Sequence, residues 1–494
     1  MLGGTSAING QAYVANLKSN VDAWGRLGNP GWDWETLQPY YRKSYTLNLP
    51  SEEKQRKLGL ECIDPKAHAG NGPIQVSYPD ALQDPVAHAW VETFKRMGMF
   101  PSGDPYSGID GGGFTNPSRI NADSKTRSYS ANAYYVPIKD RTNLRVATEP
   151  LVEKVILDAS TNGDALAKGA KYVKDRQSYV VQARPEVIVS AGVFNSPNIL
   201  EFSGIESRNL LERNGIKLSR VVLKRESVLQ WLNKVSKIWV IHRGRKLFRC
   251  FATSADFNHP DTGSADLPSA LQIIAAESDS GTPFSTELAT HVRSILQNST
   301  EATGGYFSFL VQADLKSSEG EAHKQIPGNY LTIAVGLMSH LSRGSSHIAS
   351  ADQTIPPTFD PRCLTHPLDL ELLARHTRFI ETIASSEPLA SMLKPGGSRT
   401  PALPGDLRKV PLENVKEYVK SHSKSTFHPT STCAMMPREK GGVGDSRLRV
   451  WGTKNLRVVD ASAIPISPRG NTQSTVYAVA ERAADIIKED YGTK

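Results

Sequence analysis

Apolar residues recur at helical spacing over Thr475–Lys488. Val476, Val479, Ala480, Ala483, Ile486 and Ile487 share one face there, which predicts an amphipathic helix near the C-terminus. A second helix is predicted over Glu35–Tyr45, with Asp33 as its cap, and a long third around Pro367–Ile383. Four runs rich in β-branched and aromatic residues predict a meander: Leu144–Ala147, Val152–Leu157, Gly169–Tyr172 and Tyr179–Gln182. Tyr330–Met338 reads as a further strand. Glu186–Ser190 reads as a strand buried on both sides. Ala191-Gly192 then forms a tight turn, and Ser196 caps a helix with Pro197 at its first position. Strand, glycine turn and helix in that order mark α/β architecture. Leu456–Asp460 is a second short buried strand, ending in an acid.

A chain of 494 residues is too long for one small core, and two joined domains are expected. At 39% hydrophobic and 22% charged, the composition excludes collagen-like, coiled-coil and disordered classes. No apolar run reaches the roughly 18–20 residues of a membrane span, so no membrane partner is expected. No basic and apolar leader opens the chain, which leaves a cytoplasmic or a secreted location open. Cys62, Cys250, Cys363 and Cys433 are too scattered for a redox or zinc motif. One glycosylation sequon stands at Asn298-Ser299-Thr300. The net charge of +8 is local: eight basic residues lie between Lys224 and Arg249, against the single acid Glu226. No recognition motif accompanies that run, and no nucleic-acid partner is expected.

Candidate chemistry begins at Leu2–Gly10. Gly3 and Gly4 permit close backbone approach to a ligand, and Thr5, Ser6 and Asn9 offer polar groups. The same residues also suit a plain surface turn. By themselves His428, in His-Pro-Thr-Ser-Thr-Cys, reads as a surface or core histidine and Asn471, in Gly-Asn-Thr before the last helix, as a turn residue. No Gly-x-Ser-x-Gly elbow supports a hydrolase.

Taken together these segments resemble the glucose–methanol–choline (GMC) oxidoreductases. Leu2–Asn9 resembles the family's first signature, with Thr5 for a serine. Trp24 and Gly28–Trp34 resemble its Trp…Gly-Asn-x-Gly-Trp-x-Trp stretch, and Ser190–Gly204 its second signature. Ser342-Arg343-Gly344 fits the substrate-domain hairpin. His428–Cys433, Asp445–Val450, Leu456–Ser462 and Gly470–Thr472 form the strongest match. The resemblance implies an α/β (α+β) fold, in which a Rossmann-like FAD domain is interleaved with an antiparallel-sheet substrate domain. The expected division is residues 1–260 and 421–494 for the FAD domain and 261–420 for the substrate domain.

The implied reaction oxidises a small-molecule alcohol to an aldehyde or ketone. His428 takes the hydroxyl proton, Asn471 orients the hydroxyl, and the hydride passes to flavin N5. Oxygen or an unidentified acceptor reoxidises the flavin. Gly3, Gly4, Thr5, Ser6 and Asn9 are implied at the flavin, and Val152 at the adenine. Asp460 and Ala461 are implied near the pyrophosphate and isoalloxazine, and Thr472 at the helix N-terminus facing the reduced flavin.

Two departures stand out. No strand–GxGxxG–helix unit precedes Leu2, so the FAD domain is expected to lack its first βαβ and to expose apolar surface, and the chain to bind FAD poorly, fold poorly, or both. The Gly108–Gly113 cluster follows no predicted strand and does not replace that unit. The 224–249 run also matches nothing in the family, which predicts a translated intron or shifted frame there and a misplaced start at Met1. A cyanohydrin-cleaving relative with idle flavin and an inactive remnant are the competing readings.

Overall fold

The structure is a computed structural model. It describes residues 1–14, 16–78, 85–109, 112–158, 163–218, 228–241, 249–255, 272, 284–298, 300–312, 327–397, 399–400 and 405–493, with the backbone alone for 228–241 and 249–255. The strands in chain order are β1 (Tyr45–Asn48), β2 (Ile74–Ser77), β3 (Gly113–Phe114), β4 (Leu151–Asp158), β5 (Leu166–Lys174), β6 (Gln177–Gln182), β7 (Val187–Val189), β8 (Val228–Ile241), β9 (Arg249–Ala255), β10 (Gly304–Phe309), β11 (Tyr330–Leu337), β12 (Gly344–His347), β13 (Thr358–Asp360), β14 (Ser423–Thr430) and β15 (Leu456–Val458).

An eight-stranded sheet runs β13-β12-β8-β11-β10-β9-β3, with β14 also paired to β8. Its registered pairings are antiparallel. β11 is buried along its whole length. The long helix Pro367–Ser385 covers that strand, burying Leu372, Leu373, Phe379, Ile380 and Ile383. His366 caps this helix by accepting from the Leu368 amide at 3.1 Å. Part of the basic 224–249 run is thus strand β8, which pairs with β11, β12 and β14. Strands β8 and β9 lie before residue 260 and hydrogen-bond into the sheet that holds β10 and β11.

The second layer is α/β. β7 and β15 pair in parallel, Val187 opposite Leu456 and Val189 opposite Val458. β4, β5 and β6 form an antiparallel meander beside them. Two expectations need correction here. Leu144–Ala147 is not a strand: no strand among the described residues pairs with its backbone, and its residues are largely solvent-exposed. β7 is not buried on both sides: among the described residues it pairs with β15 alone, and Ile188 is 45% exposed.

The helix after β7 spans Gly192–Phe202, so it starts before Ser196 and holds Pro197 inside. Ser196 instead donates to Asp460 and accepts from the Ala191 amide at 3.0 Å. Pro197 has no N–H for the Val193 carbonyl one turn back. That carbonyl accepts from Thr432 Oγ1 at 2.6 Å, which ties the helix to the His428–Cys433 segment.

The predicted N-terminal helix forms over Trp34–Ser44, with Asp33 accepting from the Thr36 amide at 2.9 Å. The last helix spans Gln473–Asp490 and packs against it, with Tyr41 donating to Thr475 at 2.8 Å. Two fully buried tryptophans anchor distant chain: Trp24 Nε1 donates to the Ile466 carbonyl at 3.0 Å and Trp32 Nε1 to that of Ser446 at 2.7 Å. Among the described residues, no helix is long and apolar enough to cross a membrane, and no metal-binding cluster forms. Cys62 and Cys433 form no disulfide among the described residues.

Candidate active site

His428 comes from β14, whose register with β8 shifts between Ser425 and His428. A bulge re-aims side chains, and Phe427 bears the distortion at φ +59°. The ring of His428 meets Asn471, with Nδ2 of the amide 3.1 Å from Nε2 of the imidazole. These residues are 43 positions apart in the chain. Nδ1 of His428 and Oδ1 of Asn471 are both covered and have no hydrogen-bond partner among the described residues. With the amide donating to Nε2, the ring proton sits on Nδ1. With the amide turned over, Nε2 donates and Nδ1 accepts. Either way the pair keeps one unused donor and one unused acceptor. An alcohol hydroxyl, which both donates and accepts, complements it. Burial pushes the His428 imidazole down to about 4, so the ring is neutral at neutral pH.

The N-terminal loop borders this pair through the last helix. Asn9 donates to Gln473, two residues after Asn471. Thr472 sits at the N-cap without a side-chain cap bond, and its carbonyl accepts from the Val476 amide at 3.0 Å. Gly3 has φ +87°, and a Cβ there would meet the Tyr129 ring at 2.7 Å. Only glycine fits that contact and that backbone. Gly4 and Thr5 are exposed, and no heavy atom lies within 4 Å of a Cβ built on Gly4. Ser6 is buried and shares a hydrogen bond with Ser130 at 3.0 Å.

Asp460 takes a role that its position near β15 did not announce. Its carboxylate accepts from the Gly192 amide at 2.9 Å, the Ser462 amide at 2.7 Å, and the Ser196 and Ser462 hydroxyls. It therefore braces the turn at the carboxyl ends of β7 and β15, where open α/β sheets place their ligands. Gly192 in that turn has φ +86° and open space where a Cβ would stand. Ala461 runs beside the histidine segment, its carbonyl accepting from the Ser431 amide at 3.4 Å. Val152 stands on a separate element, β4, which packs on the helix Gly192–Phe202.

The structure thus joins His428 and Asn471 directly, and Asn9 and Thr472 to them through the last helix. Asp460 and Ala461 border them along residues 431–433. The open glycines Gly4 and Gly192, together with the unpaired Nδ1 and Oδ1, suit a flat polar cofactor beside a hydroxyl-bearing substrate. The residues present therefore fit FAD. Sequence reading missed Arg119, Arg127, Ser130 and Gln473, which hold the N-terminal loop in place. Arg119, Arg127 and Ser130 lie in a polar, arginine-bearing stretch with no periodicity, Gln473 opens the last helix, and nothing local shows that Arg119 is fully buried. The Thr432 bond also yields a prediction. Thr432→Val keeps the volume but leaves the Val193 carbonyl unmet, and should lower unfolding free energy by about 1–3 kcal/mol in a denaturant titration.

Comparisons with known proteins follow the same lines. A family model described as GMC oxidoreductase matches residues 1–225, and another of the same description matches 341–480. GMC oxidoreductase family protein Mala s 12 of Malassezia sympodialis is 32% identical, over 99% of this chain and 79% of its own length. Patulin synthase of Aspergillus clavatus is 30% identical, over 98% of this chain and 77% of its own length. A solved structure described as a new fungal aryl-alcohol oxidase aligns at TM-score 0.78 and 24% identity, covering 99% of this chain and 86% of that one.

Proposed function

Since this chain belongs to the GMC oxidoreductase family of FAD-dependent alcohol oxidases and dehydrogenases, we propose that it oxidises a small-molecule alcohol to an aldehyde or ketone with His428 as base. The observation that carries this reading is the half-buried His428–Asn471 pair: with the Asn471 amide turned over, Nε2 donates to it and His428 Nδ1 is left as the unused acceptor that can take the proton. FAD, when bound, supplies the hydride acceptor. Gly3, Gly4, Thr5, Ser6, Asn9, Ala461 and Thr472 would hold it, with Asp460 bracing the turn and Val152 at the adenine end.

An alcohol is a poor hydride donor until its proton is drawn away. A neutral imidazole does this at neutral pH, and burial keeps His428 neutral. Asn471 cannot take a proton, but its amide can hold the hydroxyl oxygen and fix which C–H bond faces the cofactor. The likeness to patulin synthase supports a substrate from secondary metabolism. Oxygen is the proposed final acceptor.

The pH profile tests the base. Protonated His428 cannot accept a proton, so kcat/KM should stay level from pH 8 down and fall only as pH approaches about 4. A profile that already breaks near pH 6.5 would contradict a buried, neutral base. Anaerobic addition of an alcohol should bleach the flavin band. Cyanohydrin cleavage without bleaching would replace oxidation with lyase chemistry.

A further inference from the structure

Asn9 is the meeting point of three segments, and the residues that converge on it are unusual. Its side-chain oxygen accepts from Arg119 and, at 3.2 Å, from Arg127. Its side-chain nitrogen donates to Gln473, at the start of the last helix. Arg127 also donates to the Asn9 carbonyl at 2.8 Å and the Ser6 carbonyl at 3.4 Å. Arg119 reaches the Ser6 carbonyl at 3.5 Å and that of Ser128 at 3.0 Å.

Arg119 is fully buried, and neither arginine has a carboxylate partner among the described residues. Two guanidinium groups held together without an anion are costly, and a surface loop needs no such brace. The same stretch adds Ser130, whose amide donates to Ser6 Oγ at 3.2 Å, and the Tyr129 ring against Gly3. The carbonyls of Ser6 and Asn9 are thereby drawn toward the arginines. The positive end of the last helix lies on the other side of Asn9.

We propose that Arg119 and Arg127 are positioning residues of the flavin site: by clamping Asn9 they lock the Gly3–Asn9 loop to the helix that begins two residues after Asn471, and they leave an uncompensated positive charge there that favours reduced, anionic flavin. This inference rests on the flavin reading above. The clamp itself exists without cofactor, so the two can be tested apart.

The test uses the full chain and its Arg127→Met, Arg127→Lys and Asn9→Asp variants; Arg127 is only half-buried, so its loss spares the core. Amide hydrogen exchange over Thr5–Asn9 is measured without flavin, then the FAD dissociation constant and the midpoint potential of bound flavin. Arg127→Met should speed loop exchange at least tenfold, weaken FAD about tenfold, and lower the midpoint potential. Arg127→Lys keeps the charge but not the fork, so it should restore the potential while the loop still exchanges faster. Asn9→Asp keeps a partner for both arginines, so exchange should stay slow while the added negative charge lowers the potential. Unchanged exchange in Arg127→Met overturns the clamp, and an unchanged potential overturns the charge. If exchange responds and the wild-type chain retains no FAD, the clamp stands and the flavin reading falls.

Discussion

His428→Ala is expected to lower kcat for alcohol oxidation by about 10²- to 10⁴-fold while leaving FAD retention unchanged. In the His428–Asn471 pair it is the imidazole whose neutral form can accept a hydroxyl proton near pH 7, because Asn471 has no basic atom there. Fold and cofactor loop should survive, since Asn9, Arg119 and Gln473 hold the loop without the histidine. The loss should be greatest at neutral pH and shrink as pH rises, because hydroxide begins to do what the imidazole did. Rapid-mixing measurement of flavin bleaching separates the chemical step from product release. Asn471→Ala should cost less and fall partly on KM, since it removes orientation and not the base. Full activity in His428→Ala would remove the histidine from the mechanism.

Unfolding free energy should fall steeply as pH drops from about 6.5 toward 4. His291, His340 and His376 are buried, and burial holds them down to about 4, 3 and 3. Arg26 pushes His291 further in that direction, and Arg343 does so for His340. The unfolded chain protonates each ring below about 6.5, whereas the native chain does not until its lowered value is reached. The unfolded state therefore gains protons across that window, and the native state is disfavoured as pH falls. Each ring contributes about 1.4 kcal/mol per pH unit. Three rings exhaust a typical stability of about 5–15 kcal/mol within roughly two to three units.

These rings differ in what they hold. His376 bonds Thr303 and Tyr306, both at 2.8 Å, and protonation would disturb that buried set. His291 and His340 line a small cavity of ≈ 10 Å³ with Asn20 and Ser467. Urea titrations at pH 7, 6, 5 and 4.5 check the slope. A flat profile over that range would mean that these histidines are not buried and neutral in solution.

The sequence alone determined the family and the cofactor, and its motifs hold the two residues proposed for catalysis. Each is written in short ordered motifs whose glycines, histidine and asparagine answer local demands. It also placed the helix capped by Asp33 and the helix Pro367–Ser385, because apolar periodicity and capping are local signals. Tertiary structure decided the rest. Leu144–Ala147 has strand composition, but a strand exists only where a neighbour supplies hydrogen bonds. Ile188 belongs to a strand-like apolar run, yet its burial depends on what covers the sheet face. The resemblance implied Asp460 near the pyrophosphate; only the fold gave its oxygens their partners Gly192, Ser196 and Ser462. The basic 224–249 run matched no motif, and only pairing with β11, β12 and β14 gave part of it a place. Arg119 and Arg127 are ordinary surface residues by composition. That they converge on Asn9, more than a hundred positions away, is a fact of packing: an arginine carries no local sign of which distant carbonyls its fork will meet.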